Sequence, residues 1–134
     1  MTKTALIIED EIFVALDLER ILMDAGYQVA GIAADSDQAL AAAPGCSFAF
    51  VDINLRDGPT GPQIAERIAR DHGVKVVFVT ANPSQIATPC DALGYVRKPF
   101  SDRAILAAAA LASGVQEVAN DTADQDVIRL GSPC

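Results

Sequence analysis

Four short apolar runs in this chain each end abruptly in polar residues. They are Leu6-Ile7-Ile8-Glu9-Asp10, Phe48-Ala49-Phe50-Val51-Asp52, Val76-Val77-Phe78-Val79-Thr80 and Tyr95-Val96-Arg97-Lys98-Pro99. Apolar runs of this length read as strands buried in a parallel sheet. In an open α/β sheet the carboxyl ends of the strands form the ligand crevice. The pattern therefore predicts that the carboxylates of Glu9, Asp10 and Asp52, the hydroxyl of Thr80 and the ammonium of Lys98 meet at one sheet edge.

Between the runs, strand and helix signals alternate, as a parallel sheet with helices on both faces requires. Strands are expected at about 4–8, 27–33, 48–51, 75–79 and 94–97. The first helix spans about Glu11 to Ala25, with Gly26 as its stop. Ser36 is placed to cap a short alanine-rich helix that ends before Pro44-Gly45. A helix from about Pro62 to Asp71 carries Ile64, Ala65, Ile68 and Ala69 at helical spacing and closes at His72-Gly73. The stretch Ala81 to Gly94 contains Pro83 and Pro89, so any helix there is short or irregular. Ser101 is the expected N-cap of the last helix, with Asp102 in its first turn and an alanine-rich run to Ser113-Gly114. Gln116 to Cys134 is polar and acidic. It either lies free of the fold, the favoured alternative, or packs back through Val127-Ile128-Leu130.

Composition narrows the function classes. The 134 residues suit one domain with a real core. No apolar run approaches the ~20 residues that span a membrane, and Met1-Thr2-Lys3-Thr4 leads into a strand without signal-peptide architecture. Cys46, Cys90 and Cys134 lack metal-ligand spacing and read as reduced thiols of a cytoplasmic protein. A formal charge of −8, with no basic stripe, argues against a nucleic-acid partner.

Asp52 is the candidate nucleophile, since a carboxylate can attack a phosphoryl donor to give an acyl phosphate. Such an attack brings like charges together and needs neutralisation. Glu9, Asp10 and Asp52 offer the oxygen ligands that Mg²⁺ takes beside waters and phosphate. The metal orients the phosphoryl group and offsets charge in a loose transition state. Lys98 offers a point charge to one phosphate oxygen and Thr80 a hydroxyl to another. Asn54, two residues after Asp52, is placed for its backbone carbonyl to face the metal. Any one of these groups alone reads as an ordinary strand-end or surface residue. The joint placement, each ending its own apolar strand, carries the functional reading.

At these residues, over about 3–114, the chain resembles the receiver domains of two-component response regulators. The resemblance implies a doubly wound, flavodoxin-like α/β fold: a five-stranded parallel sheet in the order 2-1-3-4-5. The domain would occupy residues 1–115, with 116–134 an acidic tail and no effector domain. Glu9 and Asp10 would be the acidic pair, Asp52 the phospho-acceptor, Thr80 the switch hydroxyl and Lys98 the phosphate-binding lysine. The Lys98-Pro99 peptide would be cis. Tyr95 would turn inward as Thr80 moves toward the phosphoryl group.

The implied function is that of a single-domain response regulator that takes a phosphoryl group onto Asp52, with Mg²⁺, from a histidine kinase or histidine phosphotransfer protein. It would then signal by contact with a protein target or act as a phosphate sink, catalysing only its own phosphorylation and dephosphorylation. Phe13, Val14 and Leu18, on the first helix near the acidic pair, are the candidate kinase-docking residues. Two departures from the family pattern stand out. The loop Asn54 to Gly61 lacks the usual proline, having Arg56 there, and is one residue longer. Only 18 positions separate Thr80 from Lys98, so the fourth helix is expected to be shortened. Two alternatives remain open: a haloacid-dehalogenase-type phosphatase, whose general acid is missing because position 54 is Asn, and a receiver-like binding module that is never phosphorylated.

Overall fold

The computed structural model describes residues 3–86 and 92–114, together with the backbone of Val127–Arg129. Five strands, β1 (Thr4–Ile8), β2 (Gln28–Ala33), β3 (Phe48–Val51), β4 (Lys75–Thr80) and β5 (Ala92–Arg97), pair in parallel in the order β2-β1-β3-β4-β5. Helices α1 (Ile12–Asp24), α2 (Ser36–Ala42), α3 (Gly61–His72) and α4 (Asp102–Ser113) cross between and beyond them.

Alternation along the strands divides the core into two layers. On one face Leu6, Ile8, Val51 and Phe78 meet Ala39 of α2 and Ile64 and Ile68 of α3. On the other, Ile7, Phe50, Val77 and Val79 meet Leu18 and Leu22 of α1 and Ile105 and Ala108 of α4. Each fully buried Leu, Ile or Phe stabilises the fold by about 1.5–3 kcal/mol. Leu18 is therefore core and not docking surface: it is 1% exposed, while Phe13 on the same helix is 85% exposed.

Helix ends follow local chemistry. Gly73 ends α3 and Gly114 ends α4 in the left-handed region, and the Ser101 hydroxyl accepts the Ala104 N–H at the start of α4. The expected cap of α2 needs correction. Asp35, not Ser36, is the N-cap: its extended backbone lets the carboxylate accept the Gln38 N–H at 2.9 Å, and Gln38 reaches back to the Ala34 N–H at 2.7 Å.

Between β4 and β5 the described residues hold one 3₁₀ turn, Pro83–Gln85, in line with the shortened helix that Pro83 dictates; residues 87–91 lie outside the described set. β5 also begins at Ala92, earlier than expected. Of the two alternatives for the tail, Val127–Arg129 takes the second. It forms β6, antiparallel to β5, pairing Val96 with Val127, Tyr95 with Ile128 and Gly94 with Arg129. An edge strand offers a row of unpaired N–H and C=O groups, and the backbone of Val127–Arg129 satisfies part of it. Leu130 and the rest of 116–134 lie outside the described residues.

Candidate functional site

The sheet ladder runs one residue past the strand ends and so fixes the site backbone. The Glu9 N–H donates to Ala33 O at 2.8 Å, the Asp52 N–H to Ile8 O at 2.9 Å and the Lys98 N–H to Thr80 O at 3.0 Å. Glu9, Asp52 and Thr80 are buried and Asp10 is exposed above them. Carboxylate oxygens of Glu9, Asp10 and Asp52 lie within 4.8 Å of one another. The expected edge forms at a cleft of about 350 Å³ lined by Asp10, Asp52, Asn54, Thr80 and Lys98 among others.

Lys98 holds the acids together. Its Nζ lies 2.9 Å from Asp52 Oδ2, 2.9 Å from Glu9 Oε1 and 3.2 Å from Glu11 Oε1. The Asp52 and Glu11 contacts are hydrogen bonds. The Glu9 contact is a close ion pair without hydrogen-bond alignment, so Glu9 Oε1 is buried with no hydrogen-bond donor. Glu9 Oε2 accepts the Glu11 N–H at 3.1 Å. Asp52 Oδ1 accepts the Ile53 N–H at 2.7 Å.

Burial pushes the Glu9 carboxyl up to about 7, and the neighbouring Asp52 charge adds to that, against the opposing pull of Lys98. Burial works against the Lys98 ammonium, yet the Asp52 and Glu9 carboxylates beside it together outweigh burial and hold it above its ordinary value. The donor set fits a hard divalent cation: three carboxylates converge, and a cation, the Lys98 ammonium, already bridges two of them.

Thr80 accepts the Asn82 N–H at 3.0 Å through its hydroxyl, which leaves its proton free to donate. Tyr95 is half-buried against the α2–α3 layer. The Lys98-Pro99 peptide is cis, as expected.

The loop after β3 is tied down without the missing proline. Leu55 and Gly58 exchange backbone hydrogen bonds, Arg56 pairs with Asp35, and the Asp57 carboxylate accepts the Ser36 N–H and the Thr60 hydroxyl. Hydrogen bonding from the Ser36 side chain, and next from Thr60, pulls the Asp57 carboxyl down to about 2. Ser36, expected as a cap, thus serves as a donor to this loop.

Three contributors escaped sequence reasoning. Glu11 was visible only as a third acid after Glu9 and Asp10, with nothing to say that it reaches Lys98. Gly61 was one of several loop glycines, yet a Cβ there would lie 2.1 Å from the Asp52 carbonyl oxygen. Gln85 carried no signal at all; it bonds the side chain of Asn54.

This topology, with an acidic cluster and a lysine at the carboxyl edge of a five-stranded parallel sheet, defines a receiver domain. Residues 5–110 match the family described as response regulator receiver domain, and the chain belongs to it. A curated relative is the phyllosphere-induced regulator PhyR of Methylorubrum extorquens, 36% identical over 93 residues, which are 66% of this chain and 34% of that protein. The chain thus spans about a third of that relative's length. Among solved structures, the receiver domain of Erythrobacter litoralis PhyR superposes with a TM-score of 0.78 at 30% identity, covering 90% of this chain and 97% of that one. The anti-anti-sigma factor PhyR of Bartonella quintana gives 0.71 at 27% identity, covering 86% of this chain and 48% of that one. Family membership leaves the phosphatase alternative without support.

Proposed function

We propose that this receiver takes a phosphoryl group from the phosphohistidine of a histidine kinase or histidine phosphotransfer protein onto Asp52, in the cytoplasm. A carboxylate oxygen of Asp52 forms the new P–O bond. The P–N bond breaks and its electron pair stays with the imidazole. Glu9, Asp10 and Asp52, with Asn54 beside them, would hold Mg²⁺, which supplies charge neutralisation at the phosphoryl oxygens. Lys98 leaves its acid partners to meet a phosphoryl oxygen, and Thr80 donates its hydroxyl to another. Tyr95 follows Thr80 inward and alters the surface there. The domain acts on its own Asp52 and turns over no metabolite. Its output is protein contact or the draining of phosphate from its donor.

The observation that carries this reading is the three-carboxylate cluster with Lys98 Nζ at 2.9 Å from Asp52. Kinase docking is assigned to the exposed side of α1, where a groove of about 730 Å³ runs between Phe13, Val14 and Leu16 and the segment Lys98, Pro99 and Phe100. That a PhyR is an anti-anti-sigma factor supports a protein as the downstream target. The test is incubation with Mg²⁺ and acetyl phosphate or beryllofluoride, comparing wild type with Asp52→Ala. Wild type should gain one phosphoryl group and change conformation, and the variant should do neither. A wild type that stays unlabelled and unchanged overturns the reading.

A further inference from the structure

Asn54 and Gln85 form a reciprocal amide pair between the two loops that flank the cleft. Asn54 Nδ2 donates to Gln85 Oε1 at 2.9 Å, and Gln85 Nε2 donates to Asn54 Oδ1 at 3.4 Å. One loop follows Asp52 and the other follows Thr80. The Gln85 side is itself anchored to the site. Thr80 Oγ1 accepts the Asn82 N–H at 3.0 Å, and Asn82 O accepts the Gln85 N–H at 3.0 Å. The Ser84 hydroxyl donates to Asn82 Oδ1 at 2.9 Å, which stiffens the turn. A hydrogen-bonded path therefore runs from Thr80 through Asn82 and Gln85 to Asn54, which lines the cleft beside Asp52.

We propose that Gln85 is a positioning residue that straps the Asn54 side chain across the mouth of the cleft and so prolongs the life of the phosphoryl group on Asp52. The inference rests on the phospho-acceptor reading above. Hydrolysis requires a water oxygen to reach phosphorus in line with the bond to Asp52. The new P–O bond forms, the bond to Asp52 breaks with its electron pair returning to the carboxylate, and one water proton passes to solvent. Asn54 and Asp52 line the same cleft, so a tethered Asn54 side chain narrows the way by which water reaches phosphorus.

The pair is exposed, so the effect is modest, about two- to fivefold in lifetime, the range of a single net hydrogen bond. The experiment labels the full chain with acetyl phosphate and Mg²⁺, removes the donor and follows loss of the phosphoryl group by intact-mass spectrometry. Gln85→Met, which keeps the bulk and loses both hydrogen bonds, should shorten the lifetime by about threefold with unchanged melting temperature. Gln85→Glu keeps the acceptor of the shorter bond and should restore most of the lifetime. In an Asn54→Ala background, Gln85→Met should have no further effect. Equal lifetimes in wild type and Gln85→Met, or the same shortening in the Asn54→Ala background, overturn the strap while leaving the phospho-acceptor reading intact. A wild type that takes no label overturns both.

Discussion

Replacing Gly61 by alanine would place a Cβ 2.1 Å from the Asp52 carbonyl oxygen, 2.7 Å from Ile53 Cα and 2.9 Å from the Asp52 carbonyl carbon. Ordinary contact begins at 3.4 Å, so the two backbones must part by roughly 1.3 Å, the difference between that and the closest distance. The obstacles are main-chain atoms and cannot swing aside. The Gly61 N–H also donates to Ile53 O at 3.0 Å, which ties the start of α3 to the residue after Asp52. Overpacking of this kind costs about 1–3 kcal/mol. For a domain of this size, that lowers the melting temperature by about 4–11 °C. If the strain falls on Asp52, a displacement on the order of 1 Å slows phosphoryl transfer by up to about 100-fold. Thermal melts give the first quantity and initial rates of acetyl phosphate labelling the second. Wild-type melting would refute the steric argument. Lowered melting with wild-type labelling would show that α3 moves alone, which refutes the link from Gly61 to the chemistry.

Glu9 should make metal-free stability depend on pH. Its folded pKa of about 7 stands above the ordinary 4.5, so its contribution is full below about 4.5 and is lost as pH rises through about 7. The shift corresponds to stabilisation on the order of 3 kcal/mol, most of it lost between about pH 5 and about pH 7. In EDTA, denaturant melts of wild type should lose that much relative to Glu9→Gln between about pH 5 and about pH 8; parallel curves would contradict it. Phe13→Ala should slow transfer from a kinase by about 10-fold or more, as truncation of an interface anchor does, and spare labelling by acetyl phosphate. Equal loss of both would end the docking assignment. Deleting residues 127–134 should speed amide exchange at Gly94, Tyr95 or Val96, which β6 covers. Unchanged exchange across all three would mean that β6 does not protect this edge.

The strand ends were legible because the information is local. An apolar run announces a buried strand, and the residue that breaks it marks the carboxyl edge where Glu9, Asp52 and Thr80 are found. The caps at Ser101 and Gly73 follow from the same short-range chemistry. At α2 the expected cap, Ser36, was one residue off: Asp35 takes the position, because its backbone is the extended one. The three-residue β6 run was too short to be decisive by itself; the open edge of β5 gave it a partner.

Sequence by itself determined the alternation of strand and helix, the type of side chain at the end of each strand, and hence the chemistry available at the sheet edge. Tertiary structure decided what depends on distance and rotation. The turn of α1 on the sheet made Leu18 core and left Phe13 exposed, though both are apolar. Convergence of three strand ends brought Lys98 to Glu9, Glu11 and Asp52 at once, and burial separated the Glu9 carboxyl from its ordinary range. The Asn54–Gln85 strap and the contact at Gly61 exist only because loops remote in sequence, or backbones at a tight crossing, were set side by side. Residue type sets what a group can do, and the packed fold sets which partner and how much water it meets.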